Sequence, residues 1–85
     1  MKPWYVYIIR CSDTTLYTGV TTDVERRFQE HKEGGRKGSK YARARIPLKV
    51  VYTETCASRS DAQKREYAIK QLTRIEKEHL VKSQK

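Results

Sequence analysis

Residues 4–10, Trp-Tyr-Val-Tyr-Ile-Ile-Arg, contain the longest apolar run in the chain, the six residues Trp4–Ile9. A row of β-branched and aromatic side chains suits a pleated strand. In a strand, Trp4, Val6 and Ile8 share one face, and Tyr5, Tyr7 and Ile9 share the other. Six residues fall far short of the ~20 needed to cross a bilayer. The amino terminus also lacks the ~7–15-residue apolar stretch of a secretion signal. No membrane partner is expected.

The chain has 85 residues, which predicts one domain, 1–85. Single domains run from ~50 to ~250 residues. A chain this short buries about 60–65% of its unfolded surface, so its core is small. Hydrophobic residues make up 36% and charged ones 34%. That is polar for a globular domain, but the apolar residues are patterned, which argues against disorder. Residues 11–14 carry Ser and Asp and predict a tight turn into a second strand, 15–20. With the turn centred near Ser12, Tyr7 is expected opposite Tyr17 and Tyr5 opposite Gly19.

Thr22 and Glu25 form a T-x-x-E capping box that predicts a helix over 23–32, ended by Gly34-Gly35. Its inward stripe is Val24, Arg27, Phe28 and His31. Residues 48–55 alternate and predict a third strand. Ser58 or Ser60 is expected to cap a helix over 61–72, with Ala62, Glu66, Ile69 and Thr73 on one stripe. Thr73 and Glu76 repeat the capping box and predict a last helix to about Val81. The expected fold class is α/β in the α+β sense: a three-stranded antiparallel sheet flanked by helices.

Nineteen Lys and Arg stand against ten Asp and Glu, a net charge of +9. An excess of this size points to a polyanionic partner. Residues 32–49 hold seven basic residues and one acid, Glu33. Arg36, Lys37, Lys40, Arg43 and Arg45 are therefore expected to meet nucleic-acid phosphates, and Tyr41 to stack on an exposed base. The alternative for this segment is a solvated loop that serves solubility. Cys11 and Cys56 have no C-x-x-C spacing, so a zinc site is not expected. Without a secretion signal both are expected as thiols in a cytoplasmic protein.

A small core tolerates few unpaired charges, because a buried ion costs several kcal/mol or changes its protonation. Yet helical phase puts Arg27, His31 and Glu66 on packing faces, and one hairpin face carries Tyr5, Tyr7 and Tyr17. With both helices packed on that face, phenols, a guanidinium, an imidazole and a carboxylate converge. The plainer alternative is an Arg27–Glu66 ion pair among tyrosines that only fill space.

These residues resemble the GIY-YIG nuclease family. The first motif is Tyr5-Val6-Tyr7 and the second is Tyr17-Thr18-Gly19. The stretch Thr21–His31 resembles the family's helix with its Arg and His, and Ala62–Glu66 resembles the segment bearing its metal-binding Glu. The likeness runs from residue 4 to about 82 and is closest to small stand-alone bacterial members. It is also similar to the UvrC incision domain and to homing-endonuclease catalytic domains. It departs in having Tyr5 for the first Gly, Val20 for a Lys, and no Asn anywhere.

The resemblance implies a metal-dependent nuclease that hydrolyses DNA phosphodiester bonds. Tyr17 would be the general base, Tyr7 would position water or phosphate, and Arg27 would stabilise charge on the phosphate. Glu66 would hold one Mg²⁺ or Mn²⁺, and His31 would support the base or the phosphate. A phenol with an ordinary pKa near ~10 is only about 0.1% ionised at pH 7, so activity is expected to rise toward alkaline pH. With no second domain, sequence specificity is expected to be low, with a preference for branched, nicked or single-stranded DNA, or for RNA, in repair or processing. A protein partner would supply targeting. The rival expectations are a nucleic-acid-binding module with little catalysis and an adaptor for an acidic protein.

Overall fold

The apolar row becomes the middle strand of a sheet, the one position where both edges are paired and both faces can be covered. The computed structural model describes residues 3–33 and 48–84. Among them lie three strands, β1 (Trp4–Arg10), β2 (Leu16–Thr21) and β3 (Lys49–Cys56). Three helices accompany them, α1 (Val24–Glu33), α2 (Arg59–Lys70) and α3 (Arg74–Ser83). All pairings are antiparallel, in the spatial order β2-β1-β3. This is the expected α+β architecture.

The two faces of β1 do different work. Val6 and Ile8 are fully buried with Tyr52, Ala62 and Ile69, and Trp4, Leu16, Val20, Leu80 and Val81 pack around them. This is the apolar core, covered by α2 and α3. The opposite face carries Tyr7 and Ile9, also buried, and meets His31 of α1. The helices therefore do not share the tyrosine face as the sequence suggested. Apolar Ala62 and Ile69 draw α2 to the Val6–Ile8 face, because that contact removes the most apolar surface from water.

The hairpin register also differs from expectation. Tyr7 pairs with Gly19 and Ile9 with Tyr17, while Tyr5 pairs with Thr21. The cause lies in the loop. Thr14 takes a left-handed conformation at φ 67°, and the Cys11 N–H donates to the Thr15 carbonyl at 2.9 Å. This closes a three-residue loop centred on Asp13, whose carboxylate accepts from the Thr15 N–H at 3.1 Å. Moving the turn centre by one residue slides the pairing by two, so every side chain keeps its face. On the other side of β1, a bulge leaves Val51 between the Ile8–Tyr52 and Ile9–Val50 pairs.

Helix starts follow local chemistry. The cap of α1 is Asp23 rather than Thr22: its carboxylate accepts from the Arg26 N–H at 3.0 Å, while the Thr21 hydroxyl accepts from the Asp23 N–H. Ser58 caps α2, accepting from the Asp61 N–H at 3.1 Å. Thr73 and Glu76 form the reciprocal capping box of α3 that their spacing predicts. Arg10 holds α3 to the end of β1 through two bonds to Glu78, at 2.6 and 2.9 Å. Cys11 and Cys56 are not joined in a disulfide.

Thr73→Ala is expected to cost about 1 kcal/mol in urea unfolding. Adding Glu76→Ala should cost less than the sum of the two single changes, since each removes the same reciprocal pair.

Candidate active site

Among the described residues, the Tyr7 hydroxyl is the atom from which the candidate catalytic side chains are best traced. Tyr7 projects from β1 and lies over Gly19 of the neighbouring edge strand β2. A Cβ built on Gly19 would meet the Tyr7 hydroxyl, and would sit 2.6 Å from Cζ and 3.0 Å from Cε1. Only a residue without a side chain leaves room for that ring. The phenol thereby reaches the margin of the sheet and hydrogen-bonds to His31 Nε2 at 2.9 Å.

His31 is fully buried, and Tyr7 is 2% exposed. Burial, and then the nearby Arg27, push the His31 pKa below its ordinary 6.5. The imidazole is therefore neutral at physiological pH. With its ring proton on Nδ1, the Tyr7 hydroxyl donates to Nε2. Tyr17 stands on the same face, one strand over, its ring edge-on to His31 at 5.1 Å between centroids.

Three other groups act on the Tyr7 phenol. Its pKa is raised to about 12, first by burial and next by Tyr17; the Arg27 guanidinium lowers it, and the Glu66 carboxylate raises it slightly. Tyr17, Arg27 and Glu66 thus all act electrostatically on one hydroxyl, to which His31 is bonded. Arg27 comes from α1 above the sheet. Glu66 comes from α2 below it, and α2 packs against both β1 and β2.

Arg27 and Glu66 do not depend on each other for charge balance. Arg27 bonds Glu30 at 3.0 Å, one helical turn on. Glu66 pairs with Lys70 at 3.3 Å on its own helix. The buried Arg27–Glu66 pair that the plainer reading required is replaced by these two local ones. Glu30 is a partner that the inward stripe of Val24, Arg27, Phe28 and His31 does not include. Its i,i+3 spacing from Arg27 was the available signal.

The donor set bears on a metal. Among the described residues, no three His, Cys, Asp or Glu side chains cluster as metal ligands. One part-exposed carboxylate cannot build a closed zinc site. It can hold a hard ion such as Mg²⁺, which keeps several waters and takes its other ligands from phosphate oxygens. Arg36, Lys37, Lys40, Tyr41, Arg43 and Arg45, expected to contact nucleic acid, lie outside the described residues.

A family model described as the GIY-YIG catalytic domain matches residues 3–79. The chain belongs to the GIY-YIG family. It is 55% identical over 80 residues to the UPF0213 protein DP2720 of Desulfotalea psychrophila, covering 94% of this chain and 72% of that protein. Against the Escherichia coli UPF0213 protein YhbQ the identity is 49% over 81 residues, covering 95% and 79%. The solution NMR structure of the UPF0213 protein BH0048 from Bacillus halodurans superposes with a TM-score of 0.62 at 45% identity, covering 96% and 85% of the two chains. That of EF2693 from E. faecalis gives 0.66 at 41%, covering 98% and 86%.

GIY-YIG domains form a nuclease-type family, and the geometry gives its two motifs a physical meaning in this chain. The glycine of the second motif is the seat for the tyrosine that ends the first. Tyr5, in the place of the first motif's usual glycine, is half-buried opposite Thr21 and leaves that seat untouched.

Gly19→Ala is expected to destabilise the domain by about 1–3 kcal/mol, since Tyr7 is held by His31 and cannot yield. In a Tyr7→Leu background the same change should cost much less, a coupling that urea denaturation of the double-mutant cycle measures. The shifts also set a pH window. The native state holds the Tyr7 proton more tightly than the unfolded chain, so its contribution is present below pH 10 and lost toward about 12. The native state binds a proton on His31 less readily, so that contribution is present above pH 6.5 and lost as pH falls through the lower native value. Urea midpoints should fall on both sides of this window. Tyr7→Phe should shrink the alkaline limb, leaving the part due to Tyr52, which burial also raises.

Proposed function

We propose that this chain is a cytoplasmic, metal-dependent nuclease that hydrolyses DNA phosphodiester bonds with low sequence specificity. The observation that carries this reading is the Tyr7–His31 hydrogen bond with the Tyr17 ring edge-on to the same imidazole, beside an arginine and a carboxylate, Arg27 and Glu66, whose charges act on the Tyr7 phenol. Phosphodiester hydrolysis is mostly positioning plus stabilisation of negative charge, and this group of side chains offers both.

The roles follow from the environments. Tyr7, buried and with its pKa near 12, stays protonated and acts as a fixed positioning group. Tyr17 is more exposed and is the phenol that can take a proton from an attacking water. His31, neutral and hydrogen-bonded, fixes Tyr7 and supports Tyr17 by edge contact. Arg27, held by Glu30, presents a guanidinium whose charge persists at any working pH and which suits two phosphate oxygens at once. Glu66 would hold the single divalent ion, Mg²⁺ or Mn²⁺, which supplies Lewis-acid stabilisation of the phosphate charge. Lys70 would have to give up Glu66 for this. It is over half exposed, so it can swing away.

Cleavage of plasmid, single-stranded and branched DNA, with Mg²⁺ or Mn²⁺ and with chelator, tests the proposal. Tyr17→Phe, Arg27→Ala and Glu66→Ala should each lower the rate by about 10²-fold or more. The rate should rise with pH between about 6 and about 9.5, as a phenol base requires. A flat profile with chemistry rate-limiting removes the phenol base. DNA binding without cleavage in every metal supports the second reading, a nucleic-acid-binding module, which the Glu66–Lys70 pairing favours.

A further inference from the structure

Beside the candidate active site lies a second feature that the motifs do not include. An open cleft of about 520 Å³ is lined by Trp4, Thr22, Arg26, Arg27, Glu30 and Arg59, among others. Its size falls in the ~300–1,000 Å³ range of clefts that take small molecules and nucleotides. Among the described residues that line it, three guanidinium groups stand with one carboxylate, a cationic balance. The Arg26 side chain is 57% exposed, and its contact with Glu30 is long, 3.9 Å. Arg59 is exposed, and its guanidinium carbon stands 5.8 Å from the centroid of the Trp4 ring.

The positions add to the charge. Thr22 directly precedes the cap of α1, and Arg59 is the first residue of α2. Two helix amino termini therefore border the cleft, each adding partial positive charge toward an anion. Trp4 gives the cleft an aromatic wall, anchored because the rest of its ring packs on the core. Arg27 belongs both to this cleft and to the group around Tyr7, so whatever fills one is directly beside the other.

We propose that this cleft is a subsite for one unpaired nucleotide next to the scissile phosphate. Arg26 and Arg59 take its phosphate, and the base stacks against Trp4 with Arg59. The chemistry that selects it is a phosphate group joined to a flat, exposed π-face. A base stacked within an intact duplex cannot present that face to the cleft, whereas a single strand, flap or branch can. The proposal rests on the nuclease reading and gives it a substrate class: DNA with an unpaired nucleotide at the cut.

Trp4 is the chain's one tryptophan, so its fluorescence reports on this cleft alone. The full chain is titrated, in chelator, with a short single-stranded oligothymidylate and with a blunt duplex of equal length. Quenching by the single strand and little by the duplex is expected. Arg59→Ala and Arg26→Ala should each weaken binding about three- to tenfold and lower the slope of log K against log salt by about one. Circular dichroism confirms that both variants are folded, as their exposure implies. No quenching by the single strand, equal quenching by the duplex, or unchanged affinity in both variants overturns the proposal. Because binding is read without metal, quenching together with a complete lack of cleavage overturns the nuclease reading while upholding the cleft.

Discussion

The phenol of Tyr7 lying over Gly19 and bonded to His31 is the contact on which the site depends. It joins three elements, β1, β2 and α1, through one side chain. Remove the space at Gly19 and the ring must leave. Remove His31 and a buried hydroxyl loses its partner, at a cost of about 1–3 kcal/mol. Among the described residues, no buried side-chain nitrogen or oxygen lacks a hydrogen-bond partner. The polar face of the sheet is therefore buried without an unsatisfied group, which lets a chain this small keep phenols and an imidazole inside.

The division of labour follows from the two-residue period of β1. Val6 and Ile8 face α2 and α3 and form the apolar core; Tyr7, between them, faces α1 and anchors the site. Stability and chemistry share one strand but not one face. A change in the site can thus leave the main core packing intact. Glu66 is the exception that links them: it rides on the same helix as the core residues Ala62 and Ile69, so the packing of α2 decides where the carboxylate stands.

The electrostatics are ordered around the same atom. Burial opposes charge on Tyr7 and on His31, so both are neutral, while Arg27 keeps its charge with help from Glu30. A fixed cation beside neutral hydrogen-bonding groups is a setting that favours an anion such as phosphate. The same cation opens onto the cleft walled by Trp4 and Arg59, so one arginine connects the candidate chemistry with a candidate place for the flanking nucleotide.

The amino-acid sequence alone determined the features that depend on near neighbours. The Thr73–Glu76 box, a serine cap at Ser58 or Ser60, the inward phase of Arg27 and His31 and the two tyrosine motifs were legible, because capping and helical or strand phase are set within a few residues; the structure chose Ser58. Tertiary structure decided the rest. The register turned on Thr14 adopting a left-handed conformation, which no nearby pattern announces. The side of the sheet taken by α2 was settled by burial of Ala62 and Ile69 against Val6 and Ile8, a long-range choice. For that reason Glu66 stands on the helix that packs against the Val6–Ile8 face, and acts on the Tyr7 phenol only through its charge. The partner of Arg27 was likewise a matter of competing carboxylates, and Glu30 prevails because it is one helical turn away and needs no long-range closure.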